Sequence, residues 1–160
     1  MLVAIDIGTR AGWALCTTAG YKASGVWHFK PRHHENWAKR FSDFRFELGA
    51  LHAIEKISLL RYEEVRRHKG TTAGHIYGGF LVTLQDFCNQ RDIPFEGVGV
   101  GTIKKYATGK GNAGKAAMIE AVEDRWGVVA FTDDEADAVA LREYALEHDK
   151  RTKEIDNGNR

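Results

Sequence analysis

The sequence predicts an α/β domain built on a mixed five-stranded sheet flanked by helices. Three observations lead there. The chain opens on three short apolar segments separated by glycine-bearing turns. Strand-like and helix-like periodicities then alternate to the end. Of its 160 residues 43% are apolar, which supplies the core of one domain of ordinary size.

The elements follow in order. LVAIDI, residues 2 to 7, has the short apolar run of a buried strand. Gly8 to Gly12 reads as a turn, and WALCTT continues as a second strand. YKASGVWHF, near residues 21 to 29, is the third. Sequential strands with short turns form an antiparallel meander. From Glu35 to Ile54 the period changes: Trp37, Phe41, Phe44, Leu48 and Leu51 make one apolar stripe on a helix. ISLLRYEEV, residues 57 to 65, is a fourth strand. Residues 72 to 89 form a helix with two apolar sides, Ile76, Phe80, Leu84 and Phe87 on one, Tyr77, Leu81 and Cys88 on the other. The second side and the close approach allowed by Gly78-Gly79 predict a dimer contact; the alternative is a helix buried on both sides in one chain. IPFEGVGV, residues 93 to 100, is the fifth strand. Thr102 is placed as the cap of a short helix. A glycine-rich basic loop, TGKGNAGK, leads into a helix from Lys115 to Trp126 with Gly127 as its C-cap. The last helix starts near Asp133. The domain is expected to span 1–148, with 149–160 a disordered tail whose one apolar residue is Ile155.

Charge is segregated. Residues 56–115 carry ten basic and five acidic side chains, whereas residues 116–160 carry six and twelve. A basic middle suits a polyanion, and an acidic end suits cations. No apolar run approaches the roughly 20 residues of a membrane span, and MLVAIDIGTR lacks the basic start of a signal peptide. Cys16 and Cys88 fit no metal pattern, and the expected compartment is reducing and cytoplasmic.

Four carboxylates stand out. Asp6 interrupts an apolar strand, where a charge is costly unless compensated. Glu63 lies near the end of the fourth strand. Asp134 and Asp137, three apart, share one face of the last helix, where like charges repel unless a cation intervenes. Each has a plainer reading: a turn cap for Asp6, an exposed edge for Glu63, and the helix macrodipole for the acids that open the last helix, which accounts well for Asp133 and Glu135. Together, four oxygen donors without a thiol pair suit Mg²⁺ or Mn²⁺. Two such ions about 4 Å apart serve phosphodiester cleavage.

The motifs that carry these acids resemble those of the RuvC-type Holliday-junction resolvases of the ribonuclease H-like superfamily. AIDIGTRAGWAL is similar to the family's first strand and turn, YEEV to its second motif, KKYATGKGNAGK to its lysine- and glycine-containing loop, and DEADAVAL to its terminal D-x-x-D. The resemblance covers residues 2 to about 145, with the motifs in order. It implies a ribonuclease H-like fold and a homodimer that cleaves four-way DNA junctions. It further implies Asp6, Glu63, Asp134 and Asp137 as ligands of two Mg²⁺ ions, Mn²⁺ substituting, with Lys115 near the reacting phosphate. Lys104, Lys105, Lys110, Arg66, Arg67 and Lys69 are expected to hold DNA phosphates. The short length points to a bacteriophage member. One departure stands out: the family's bacterial members carry an aromatic three residues after the second glutamate, and this chain has Arg66. That predicts branch selectivity with loose sequence preference.

Other readings compete. DIGT also resembles the phosphate loop of actin-like sugar kinases, which need a second such domain. TGKGNAGK fails the P-loop pattern because Ala116, not Ser or Thr, follows Lys115. A ribonuclease H-like nuclease acting on RNA–DNA hybrid or structured RNA, and a non-catalytic branched-DNA-binding module, remain as alternatives.

Overall fold

The computed structural model describes the backbone of residues 1–66 and 70–158, and the side chains of 1–66 and 70–149. Arg67 and Lys69 lie outside it. The strands are β1 (Leu2–Asp6), β2 (Arg10–Cys16), β3 (Lys22–His28), β4 (Leu59–Glu64) and β5 (Phe95–Gly99). The helices are α1 (Lys39–Ile54), α2 (Thr71–Asn89), α3 (Val100–Thr108), α4 (Lys115–Trp126) and α5 (Asp133–Gly158). The sheet order is β3-β2-β1-β4-β5. β1, β2 and β3 form the expected antiparallel meander, while β4 and β5 join β1 in parallel. The sheet is therefore mixed. Each parallel crossover carries a helix, as parallel pairing requires.

The two faces of the sheet differ in what they bury. Val3 and Ile5 of β1 face a large-residue core with Phe44 and Leu48 of α1 and Phe80, Leu84 and Phe87 of α2. Phe80 meets the rings of Phe29, Phe41 and Phe44 at centroid distances of 5.1 to 5.6 Å. Ala4 points the other way, into a small-residue core with Ala14, Ile103, Met118, Val122, Ala138 and Leu141. α5 runs across that second face.

Four boundaries depart from the sequence reading. β2 begins at Arg10, so Gly12 lies inside a strand opposite Asp6 and not in a turn. A Cβ on Gly12 would stand 1.8 Å from the Asp134 carbonyl oxygen; the glycine is there because α5 crosses at contact distance. α1 begins at Lys39, after a turn in which the Asn36 side chain accepts from the Ala38 N–H, and Trp37 is left 53% exposed ahead of the buried stripe. Thr102 lies inside α3, whose N-cap position is held by Gly99, so Thr102 caps nothing. The backbone of α5 stays helical to Gly158, past residue 148. Side chains from residue 150 onward, and with them most of the expected tail, are outside the described residues. Gly127, with φ +66°, caps α4 as the sequence indicates. Among the described residues no helix is long and apolar enough to cross a membrane.

The two-sided helix α2 is explained within one chain. Phe80, Leu84, Phe87 and Cys88 are buried, and Ile76, Tyr77 and Leu81 pack at the edge of the same core. Gly79 meets Phe41 of α1: a Cβ there would lie 2.3 Å from the ring's Cζ. The close approach at Gly79 is thus made within the chain, while Gly78 has no neighbour within 4 Å among the described residues. Gly79→Leu should destabilise the folded chain by about 1–3 kcal/mol through overpacking, read as a lower urea midpoint. Val82→Lys, on a side chain 65% exposed, should change stability by less than about 0.5 kcal/mol.

Candidate active site

Side-chain alternation on two strands decides which acids meet. In β1, Ala4 and Asp6 share the face that looks toward α5. In β4, Leu60 and Tyr62 belong to the large-residue core, so Arg61 and Glu63 point toward α5, as the Arg61 ion pair with Asp149 shows. Glu64 points away, beside Gly97 of β5. β1 and β4 are adjacent and parallel, with Ile5 level with Tyr62, which brings Asp6 and Glu63 together at the ends of their strands. The first turns of α5 add Asp134 and Asp137.

The cluster is electrostatically loaded. Glu63 is 6% exposed. Burial, the Glu63 charge and a hydrogen bond to the Glu63 side chain push the Asp6 carboxyl well above its usual range. Burial and then the Glu63 charge push Asp137 up to about 7, with Lys104 pulling the other way. Glu63 Oε1 and Asp137 Oδ1 are buried without a hydrogen-bond partner among the described residues. Orphaned buried carboxylate oxygens are rare and costly, and a hard cation is the partner they fit. Among the described residues no three such donors close around one point as they stand, and Asp134 is paired with the Arg10 guanidinium.

The remaining expected residues are distributed around this cluster. Lys115, at the start of α4, pairs with Asp133 at 2.5 Å. Lys104 donates to the Ala113 carbonyl at 3.1 Å, which ties α3 to the glycine-rich loop. Lys110 is exposed on that loop. Arg66, its Nε on Glu64 Oε2 at 3.1 Å, and Lys105 line one groove of about 890 Å³ beside the ends of β4 and β5.

Several residues that build the site went unread in the sequence. Arg10 and Gly12 read as turn residues. Asp133 and Glu135 read as acids that complement the helix macrodipole, yet Asp133 anchors Lys115. Glu135 is buried, accepting from Ser24 Oγ at 2.8 Å and from the Phe131 N–H at 3.1 Å. Further along α5 the fully buried Arg142 donates to Glu143 and to the Ala23 carbonyl, and Lys22 donates to Glu143 at 2.8 Å. These polar ties fix α5 against β3 and so fix Asp134 and Asp137.

Two outcomes follow. In the metal-free protein Asp6 and Asp137 keep protons that the unfolded chain releases above about pH 4. Native protons in excess mean that stability falls as pH rises from about 4 to about 7. Thermal melts across that range should show the fall, and Asp137→Asn should flatten it. Gly12→Ala should displace the start of α5, costing about 1–3 kcal/mol, read as a lower urea midpoint.

No protein-family model and no curated protein sequence matches the chain. Solved structures do. RuvC of Thermus thermophilus in complex with a Holliday junction substrate superposes with a TM-score of 0.70 at 17% identity, over 88% of this chain and 89% of that one. A second structure of T. thermophilus RuvC gives 0.66 at 18% identity, over 88% and 90%. The yeast mitochondrial Holliday junction resolvase Ydc2 gives 0.57 at 14% identity, over 88% and 75%. The five-stranded mixed sheet and its helices thus have the ribonuclease H-like fold of the RuvC resolvases.

Proposed function

We propose that the chain is a divalent-metal-dependent endonuclease that cleaves four-way DNA junctions. The observation that carries this reading is the cluster of four acids, Glu63 buried and the others half-buried, with two buried carboxylate oxygens that have no hydrogen-bond partner among the described residues, set at the strand ends of a resolvase-like fold. Asp6, Glu63, Asp134 and Asp137 would hold two Mg²⁺ ions, or Mn²⁺ in their place. When bound, such ions activate water and neutralise charge on a scissile phosphate.

The chain's own residues supply the rest. Asp6 and Asp137 bind cations only when ionised, so they couple metal loading to pH. Burial of Glu63 keeps one donor rigid and shielded from bulk water. Lys115, positioned by Asp133, places a positive charge beside the cluster for the reacting phosphate. Lys104, Lys105, Lys110 and Arg66, with Arg67 and Lys69 of the segment outside the described residues, would hold the backbone of the junction and set its register. A homodimer suits the substrate, because a junction cut on two strands of like polarity needs two sites related by a two-fold axis. The fold comparisons also admit action on RNA–DNA hybrid, or a binding module without cleavage. A cluster of four mutually repelling acids, which a binding role would not need, favours the nuclease.

A cleavage panel with Mg²⁺ tests the reading: four-way junction, flap, linear duplex and RNA–DNA hybrid. The junction should be cut preferentially. Junctions of differing core sequence should be cut at rates within about tenfold, or about 1.4 kcal/mol of barrier, since Arg66 offers no ring to wedge strands apart. Asp6→Asn and Asp137→Asn should abolish cleavage while junction binding persists in gel shifts. Glu63→Gln should be far more damaging than Glu64→Gln, whose side chain leaves the opposite face of β4. Degradation of the RNA strand of hybrids with junctions untouched would replace this reading with the hybrid nuclease.

A further inference from the structure

A guanidinium stands where the proposed site needs a cation. Arg10 is the first residue of β2, next to the β1–β2 turn, and its side chain is 50% exposed. Its Nη2 is paired with Asp134 Oδ2 and lies 3.9 Å from Asp133 Oδ1. Asp133 has a partner of its own in Lys115. The neighbouring donors Glu63 Oε1 and Asp137 Oδ1 have none among the described residues. Resting on the nuclease reading above, we infer that Arg10 is an exchangeable counter-ion: it occupies Asp134 in the metal-free protein and passes to a DNA phosphate when divalent ions take that carboxylate.

The exchange follows from charge and lone pairs. A carboxylate oxygen that accepts from a guanidinium presents to it the lone pairs that a hard cation requires, so both cannot be fully served together. Two divalent cations match the charge of four ionised carboxylates. The added charge of Arg10 is then repelled, and the partner that best satisfies it is an anion. A phosphodiester presents paired oxygens that suit the guanidinium fork as a carboxylate does. Arg10 leaves without disturbing the core, because its side chain is half in solvent and the strand below is fixed by pairing with β1 and β3. Lys115 has no such reason to move, since Asp133 is not among the four donors. Arg10 is thus a positioning residue whose partner depends on metal loading.

The test uses two readouts of opposite sign, neither of them turnover. Mn²⁺ binding to the full chain without DNA is measured by calorimetry for wild type, Arg10→Gln and Arg10→Lys. Arg10→Gln should bind Mn²⁺ about two- to fivefold more tightly, the size of a half-exposed ion pair removed. Arg10→Lys should stay near wild type. Junction binding is then followed by fluorescence anisotropy against salt, with and without Ca²⁺. With Ca²⁺, Arg10→Gln should bind more weakly, and its log–log salt slope should be shallower by about one. Without the ion the slopes of wild type and variant should coincide. Unchanged or weaker Mn²⁺ binding by Arg10→Gln overturns the exchange, and so does a slope difference that is the same with and without Ca²⁺. Wild type that binds no Mn²⁺ at all refutes the nuclease reading itself.

Discussion

The site depends on how closely α5 lies on the sheet. The carbonyl of Asp134 occupies the space where any side chain on Gly12 would stand. Along the same contact the sheet offers Ala4 and Ala14, and the helix offers Ala136, Ala138 and Ala140, all fully buried. Small residues on both surfaces lower the helix onto the strands. Only at that separation do carboxylates from a helix and from strand ends share one volume. The polar ties of Glu135 to Ser24 and of Arg142 and Glu143 to β3 fix the helix along its length, so the register of Asp134 and Asp137 over Asp6 is set at several points.

That proximity has an electrostatic cost, and the molecule answers it in three ways. Asp6 and Asp137 hold protons more tightly than exposed carboxyls do. Arg10 and Lys115 stand at the mouth and pair with Asp134 and Asp133. Glu63 Oε1 and Asp137 Oδ1 are left unanswered. Local conflict of this kind, retained in an otherwise consistent core, marks the place where a fold serves chemistry at the expense of stability.

Much of this was legible in the sequence, and the reason lies in periodicity. The five strands and the long helices declare themselves because each buries one apolar face. The parity of YEEV puts Glu63 and Glu64 on opposite faces, the resemblance to the resolvase motif points to Glu63 of the two, and the spacing of Asp134 and Asp137 puts them on one face of a helix. What stayed hidden depends on contacts between segments distant in the chain. Gly12 reads as a turn residue until α5 is seen to cross it. Arg10 reads as part of the same turn until its partner, 124 residues on, is known. Glu135 reads as a dipole acid until Ser24 is found beneath it. The contact at Gly79 stays hidden too, because sequence does not reveal that Phe41 of α1 fills the space over it.

The two sides of the sheet divide the labour. Toward α1 and α2 the residues are large, with Phe29, Phe44, Phe80 and Phe87 nearly fully buried; each such ring contributes on the order of 2–3 kcal/mol by burial, and their edge-to-face contacts add to it. Toward α5 the residues are small, and burial there contributes less per side chain. The acid cluster sits on this second side, at the strand ends, where its repulsion opposes the weaker of the two cores. The aromatic face is separated from it by the sheet itself. β1 carries both roles in alternate residues, Val3 and Ile5 toward the aromatic core, Ala4 and Asp6 toward the acids. A one-residue slip of β1 would exchange them, burying Asp6 among phenylalanines and turning Ile5 toward the cluster. The antiparallel pairing with β2 and the parallel pairing with β4 each forbid that slip, so the same hydrogen-bond register that builds the sheet also places the first acid of the site.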